Sequence, residues 1–461
     1  MSGDALPDGE PGSVQRRAPF SVNPEVGVRG QRAQQRILEA ALQVFGEVGY
    51  HRCGVARITE VAGCSRAAFY QYFSSREDVF RHLAGQVARQ LAASAEAMDP
   101  ITPDEAGWRT LRTWVGRHLD IYRRYEPVFR VFDSAAESDE VVATGALRVG
   151  ERHVAGLQAK LTPTSLPSRR VGDVVRVLNS AVTRMRRQTD IVRRVMPETV
   201  ASDDRVDVAL TDVVHRTLFG LDPAVNVHAA PAGADGPETR AETRARAAAL
   251  IERMQAGAAP KDFTPAGART LDLLLKAGHD VLVTRGYERT RVDDITDVAE
   301  VSHGAFYRYF ENKEHIVRLL GLQALQQISA TFDEIPDVAG EPGPASSAAL
   351  RQWLRRYSAA HATHVAMIRV WMDATADDPE LGAESVATID WGRRRLVRFL
   401  SPRGFGDVEC EALLAVGLVD LVGARGTDRA GVEAGALVIE RGLLGFGDRS
   451  TDENRQLTEP S

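Results

Sequence analysis

The sequence predicts an all-α protein made of two tandem copies of one helical unit. Each copy is a three-helix head followed by a larger helical domain. The first observation behind this is an internal repeat. Ile58-Thr59-Glu60-Val61-Ala62 returns as Ile295-Thr296-Asp297-Val298-Ala299, and Ala68-Phe69-Tyr70-Gln71-Tyr72-Phe73 returns as Ala305-Phe306-Tyr307-Arg308-Tyr309-Phe310. Gly49-Tyr50 and Gly286-Tyr287 keep the same gapless offset, and about half of roughly 32 aligned positions are identical. The second is helical spacing: Ile37, Ala40, Ala41, Val44 and Phe45 fall at i, i+3, i+4, i+7 and i+8, one apolar helix face. The third is that the echo runs on. Leu111-Arg112-Thr113-Trp114 matches Leu350-Arg351-Gln352-Trp353, Phe129-Arg130-Val131-Phe132 matches Ile368-Arg369-Val370-Trp371, and Arg216-Thr217-Leu218-Phe219-Gly220 matches Arg441-Gly442-Leu443-Leu444-Gly445. The duplicated unit is therefore about 190 residues long, which means two whole units rather than a solenoid.

Residues 1–30 are rich in Gly, Pro and charge, and are expected to be a disordered tail without the apolar segment of a signal peptide. Residues 31–84 form the first head. Gly49 is placed to end its first helix with a left-handed cap. Val55, Ile58, Val61 and Ala62 mark the second helix, Gly63-Cys64 makes a tight turn, and Ser65 caps the third. Phe69 and Phe73, four apart, point to the core. Ser74-Ser75-Arg76-Glu77 has capping-box spacing and opens a fourth helix. Residues 85–222 are the first larger helical domain. Residues 223–262 are a linker, with a helix expected from Glu238 to Met254 between loops rich in Ala, Gly and Pro. Residues 263–321 repeat the head: Leu274, Ala277, Gly278, Val281 and Leu282 on its first helix, then Gly286, with Ser302 and Asn312 as caps. Residues 322–448 form the second helical domain and 449–461 a disordered tail.

Composition narrows the classes. The 461 residues are 44% hydrophobic and 26% charged, with a formal net charge of −6. That excludes wholesale disorder and a uniformly basic coat. No apolar run is long enough for a membrane helix. Three cysteines, Cys53, Cys64 and Cys410, cannot build a disulfide framework or a cysteine zinc site, and a reducing cytoplasm is expected. No nucleophile–base signature, phosphate loop or metal-ligand spacing stands out, so no enzyme, cofactor or metal is expected. His361 and His364, three apart, read as structural or pocket histidines. Cys53 and Cys64 read as small packing residues rather than a redox pair.

Two short helices across a tight turn, behind a longer supporting helix, make the helix-turn-helix plan, whose second helix enters the major groove. With Gly49-Tyr50, Ile58 to Ala62, Gly63-Cys64-Ser65 and Phe69 to Phe73, and their repeats from Gly286 to Phe310, each unit resembles a TetR/AcrR-type transcriptional regulator. The resemblance implies a DNA-binding head and a helical domain that binds ligand and dimerises. It places the base-reading helix start on Ser65, Arg66, Ala67 and Ala68, and on Ser302, His303, Gly304 and Ala305. It places phosphate-contacting tyrosines at Tyr70 and Tyr307, with Tyr72 and Tyr309 beside them. The phosphate-contacting lysine falls on Lys313, and on Arg76 in the first unit. The residue opening the second helix, often Ser or Thr in the family, is Gly54 in one unit and Arg291 in the other, which alters that contact. Glu300 stands at the turn glycine of the second head and is expected to strain or remodel it.

Aromatics at Trp114, Tyr122 and Phe129, and at Trp353, Tyr357 and Trp371, are candidates to line ligand cavities. Charge separates the heads. Residues 27–90 carry about nine basic against about five acidic side chains, and residues 261–324 about nine against about ten. Head one is therefore expected to be the main anchor and head two, with Asp293, Asp294, Asp297 and Glu300, a weaker reader. The expected partners are an operator in double-stranded DNA and a small-molecule effector that relieves repression. The expected assembly is an intrachain pseudo-dimer or a homodimer. Two alternatives stand beside this: only the first head binds DNA, or the helical domains serve binding or catalysis with vestigial heads.

Overall fold

A computed structural model describes residues 28–50, 52–130, 140–195, 201–226, 239–258, 265–287, 289–374, 379–424 and 428–447. The expected tails lie largely outside the described residues, as does most of the loop at 222–237. Among the described residues the secondary structure is helical, without a strand. None of these helices is long and apolar enough to cross a membrane.

The first head is α1 (Val28–Val48), α2 (Val55–Val61) and α3 (Arg66–Tyr72), followed by the long α4 (Arg76–Glu96). Helix α1 thus begins inside the stretch expected to be a tail. Ile37, Ala41, Val44 and Phe45 bury the face read from their spacing, and Ile58, Phe69, Phe73 and Phe80 close the core. Ser75 Oγ accepts from the Asp78 N–H at 3.2 Å, and Asp78 accepts from the Ser74 N–H at 2.8 Å, so the first turn of α4 is capped reciprocally.

The first helical domain contains α5 (Glu105–Arg124), α6 (Glu140–Lys160), α7 (Ser168–Val195), α8 (Asp203–Phe219) and the short α9 (Pro223–Asn226). The expected linker helix forms as α10 (Arg240–Ala258) and packs on helices of the second unit. The second head repeats the first as α11 (Pro265–Arg285), α12 (Val292–Val298), α13 (His303–Tyr309) and α14 (Lys313–Asp333). Then follow α15 (Pro344–Ala374), α16 (Pro379–Leu400), α17 (Val408–Ala424) and α18 (Arg429–Leu437), which runs into a π-helical turn at Val438–Leu443.

The chain divides into two compact units, the described parts of 1–88 with 125–143, and of 89–124 with 144–461. The second of these holds the second head and most of both helical domains, and one hydrophobic core runs through those domains. Leu119, Val182 and Val213 from the first domain belong to the same buried cluster as Leu350, Leu418 and Ile439 from the second. Helix α7 packs on α17, and α8 on the π-helical turn.

Charged contacts cross this core. Arg216 and Arg403 both donate to Glu411 Oε2, at 2.7 and 2.6 Å, and all three side chains are fully buried. Arg184 and His361 both meet Asp420, at 2.7 and 3.1 Å. Burial alone would raise the Asp420 carboxyl; the Arg184 charge and the His361 hydrogen bond outweigh it and hold the group below its ordinary range. The echo at the domain ends takes a reciprocal form. Arg216 Nε donates to the Gly442 carbonyl at 2.8 Å, and Arg441 Nε donates to the Thr217 carbonyl at 2.9 Å.

The two heads differ at one turn. Gly63 sits at φ 61 and Glu300 at φ 53, so the second head keeps the left-handed turn without the glycine. The backbone bonds are the same in both: Cys64 N–H to the Thr59 carbonyl at 3.0 Å, Val301 N–H to the Thr296 carbonyl at 3.1 Å. The expected strain is met by keeping the geometry rather than by remodelling. A left-handed non-glycine residue costs roughly 1–2 kcal/mol. Glu300→Gly should therefore stabilise head two by about 1 kcal/mol, read as a higher urea midpoint. An unchanged or lower midpoint would contradict the strain.

Candidate nucleic-acid interface

Helix α3 is built to present one face and bury the other. Ser65 Oγ accepts from the Ala68 N–H at 3.1 Å, so its hydroxyl fixes the helix start. Arg66 and Ala67 are exposed, Ala68 and Tyr72 half-buried. Phe69 is buried, and Tyr70 stands edge-on against it at 5.4 Å while remaining 49% exposed. The ring is thus placed by the core while much of it faces solvent.

Helix α13 has the same construction. Ser302 Oγ accepts from the Ala305 N–H at 3.2 Å. His303 and Gly304 are exposed, and Ala305 and Tyr309 half-buried. Tyr307 is 51% exposed and stands edge-on against buried Phe306 at 5.4 Å. His303 is engaged on two sides. Its Nε2 lies 3.1 Å from Asp293 Oδ1, and its ring meets Tyr307 at 5.0 Å. Asp294 accepts from the Arg291 backbone N–H at 2.8 Å, and that bond, with Arg285, holds its carboxyl below the usual range. The Arg291 side chain is exposed.

Arg76 and Lys313 do something the sequence did not disclose. Arg76 Nη1 donates to the Tyr50 and Cys53 carbonyls at 3.0 and 3.1 Å, with its guanidinium 4.5 Å from the Tyr50 ring centre. Lys313 Nζ donates to the Tyr287 carbonyl at 2.8 Å, 3.7 Å from that ring's centre. Both half-buried cations brace the loop between the first two helices of their own head. Cys53 lies under this brace, and burial pushes its thiol up to about 11; burial raises Cys64 as well. Neither thiol is primed for redox chemistry.

Of the candidate pocket aromatics, Trp353 and Tyr357 stack with ring centres 5.5 Å apart. Trp114, Trp353 and Tyr357 lie in the large shared core, and Trp371 lies in a separate cluster with the second head. Phe129 falls within the first compact unit and Tyr122 within the second. His361 and His364 face different partners, Asp420 at 3.1 Å and Gln327 at 2.6 Å. Sequence reasoning missed His118, His153 and the buried Arg216–Glu411–Arg403 group. Only the echo around Arg216 and Arg441 pointed to the last.

Residues 37–83 and 274–320 each match the profile of bacterial regulatory proteins, tetR family. The chain is 31% identical over 126 residues to the transcriptional repressor AcnR of Corynebacterium glutamicum, covering 25% of this chain and 65% of that protein. It is 29% identical over 147 residues to the transcriptional regulator TcmR of Streptomyces glaucescens, covering 31% and 63%. With the transcriptional regulator AcuR of Cereibacter sphaeroides it shares 28% over 165 residues, covering 33% and 73%. The chain thus spans under two thirds of AcnR and of TcmR. All three are named as regulators or repressors of transcription, none as an enzyme. The two family matches fall on the two helix-turn-helix heads described above, and the chain carries two heads of the bacterial TetR regulator family in tandem.

Proposed function

We propose that the chain is a sequence-specific DNA-binding repressor whose two unlike heads read the two halves of one operator, and which a small molecule releases. The observation that carries the reading is the doubled surface of α3 and α13. Each has a cationic or imidazole side chain at the exposed helix start, and a half-exposed tyrosine one turn on. Such residues meet base edges and phosphate respectively. Ser65, Ala67, Ala68 and Tyr72, with Ser302, Gly304, Ala305 and Tyr309, shape the approach of these helices. Arg291 lies exposed at the start of α12 as a phosphate contact, and Arg76 and Lys313 act by holding the loops in place.

The reciprocal contacts of Arg216 with the Gly442 carbonyl and of Arg441 with the Thr217 carbonyl favour an intrachain pseudo-dimer. In a two-fold interface, if i contacts j then j contacts i. Here that pattern forms between two halves of one chain. The mass of the full chain in solution, followed by site selection from a random DNA library, tests this. A monomer on one bipartite site with unlike halves is expected. A dimer of chains on a palindrome would overturn it.

The acidic face of head two sets a further expectation. Asp293 holds His303 and would lie near the DNA backbone. Asp293→Asn should tighten operator binding by roughly threefold to tenfold at low salt, with the gain fading as salt rises. Fluorescence anisotropy on the selected site reads this. An unchanged affinity would mean that His303 does not face DNA.

A further inference from the structure

The two helical domains are copies, but they treat the same interior position differently. In the second domain, Phe332, Trp353, Tyr357 and Trp391 pack on one another with ring centres 5.4 to 6.2 Å apart. The Trp353 indole donates to the Thr331 carbonyl at 2.9 Å, so its polar edge is satisfied. In the first domain, the head offset puts Ser94 and Ala95 where Thr331 and Phe332 stand, and Trp114 and His118 match Trp353 and Tyr357. A bulky ring is absent there and a polar one introduced.

Several buried polar atoms around Trp114, His118 and His153 complete no hydrogen bond. The indole N–H of Trp114, Nδ1 of His118, both ring nitrogens of His153 and Asn179 Oδ1 all lack a full hydrogen bond. Trp114, His118 and His153 are 97–98% buried and mutually close, with ring centres 5.3, 6.2 and 6.3 Å apart. Trp114 and His153 lie nearly parallel, at 25°. Asn179 and the Leu91 backbone lie beside His153, yet neither ring nitrogen completes a hydrogen bond with them. His118 Nε2 is served by Thr183 Oγ1 at 2.8 Å. Buried polar groups are normally satisfied, and so many orphans in one place call for an occupant.

We infer that the first helical domain holds an effector site on Trp114, His118 and His153, for an uncharged planar molecule carrying both hydrogen-bond donors and acceptors, and that the matching place in the second domain is closed by its own aromatics. This rests on the ligand-release reading above and deepens it: one effector acts per chain, on one half. The class follows from the lining. An indole N–H donates, a neutral imidazole donates and accepts, and flat rings offer π faces. Burial drives His118 down to about 3 and lowers His153 too, so both are neutral near pH 7. A buried, uncharged lining penalises an ammonium or a carboxylate that finds no counter-charge.

Titration of the full chain with benzimidazole and benzamide, followed by ligand-detected NMR near neutral pH, tests the site, with benzoate and benzylamine as charged controls. Saturable binding of the neutral probes at one site per chain is expected, and neither control should compete. His153→Leu should weaken probe binding by at least about tenfold while leaving the unliganded melting temperature equal or higher, since it removes orphaned polar atoms. Tyr357→Phe should leave probe binding unchanged. Two sites per chain, binding of the charged controls, or no saturable binding would each overturn the inference. So would a His153→Leu chain that melts lower yet binds as before, which would leave ordered water as the occupant. Operator affinity with and without bound benzimidazole is read separately. Probe binding without any change in DNA affinity would sustain the site and sink ligand release, whereas loss of the site would leave DNA reading untouched.

Discussion

Replacing Glu411 with alanine is expected to cost about 3–5 kcal/mol of stability. Glu411 is the shared acceptor of Arg216, from the first helical domain, and Arg403, from the second, and none of the three side chains reaches solvent. Removing the carboxylate leaves two buried guanidinium groups to face each other. The carbonyls of Gly442 and Phe405 still accept from them, but among the described residues neither guanidinium keeps a carboxylate within salt-bridge distance. Urea unfolding of the full chain reads the loss, and a change below about 1 kcal/mol would show that the two cations find water or another anion. The reverse design sharpens the test. Replacing all three residues together with methionine or leucine should recover most of the loss, because a buried ion group is often no better than well-packed apolar side chains.

Arg66→Ala is expected to weaken operator binding by about 1–3 kcal/mol, roughly tenfold to more than a hundredfold, and to relax specificity in one half-site only. The direction follows from position: Arg66 is exposed at the first residue of α3, beside a serine whose hydroxyl is committed to the cap. His303→Ala should cost less and relax the other half, because its imidazole already has Asp293 as a partner. If Arg66 reads a base, the salt dependence of binding should stay nearly constant. If it meets only phosphate, affinity should fall evenly across sequences and the salt slope should drop by about one. Binding measured on the selected site and on single-base variants, at several salt concentrations, separates the two. Equal losses from Arg66→Ala and His303→Ala would contradict the ranking of the heads.

The heads were legible because their signals are local. The capping serines, the turn glycine and the pair of phenylalanines four apart each act within a few residues, and Ser65, Gly63, Phe69 and Phe73 take the places their spacing predicts. Long-range partners were not legible. The family resemblance marks Arg76 and Lys313 as phosphate ligands, and gives no sign that each also reaches back 26 positions to brace a carbonyl. The aromatic residues of the helical domains were visible as a class, yet spacing along one helix could not tell which face a neighbouring helix would cover. His118 and His153 were missed for the same reason: a histidine's significance lies in the partner it lacks, and sequence carries no trace of that.

The reciprocal crossing at Arg216 and Arg441 has an evolutionary consequence. In a dimer of identical chains, a residue on the two-fold axis faces its own copy, so every substitution there is made twice and must suit itself. Joining the halves lifts that constraint. Here Thr217 faces Gly442, where a Cβ would come within 2.3 Å of the Thr217 hydroxyl and 2.8 Å of the Val213 carbonyl. Threonine on both sides would collide unless the backbone withdrew. On the pseudo-dimer reading proposed above, each half would fit the other better than its own twin at this crossing.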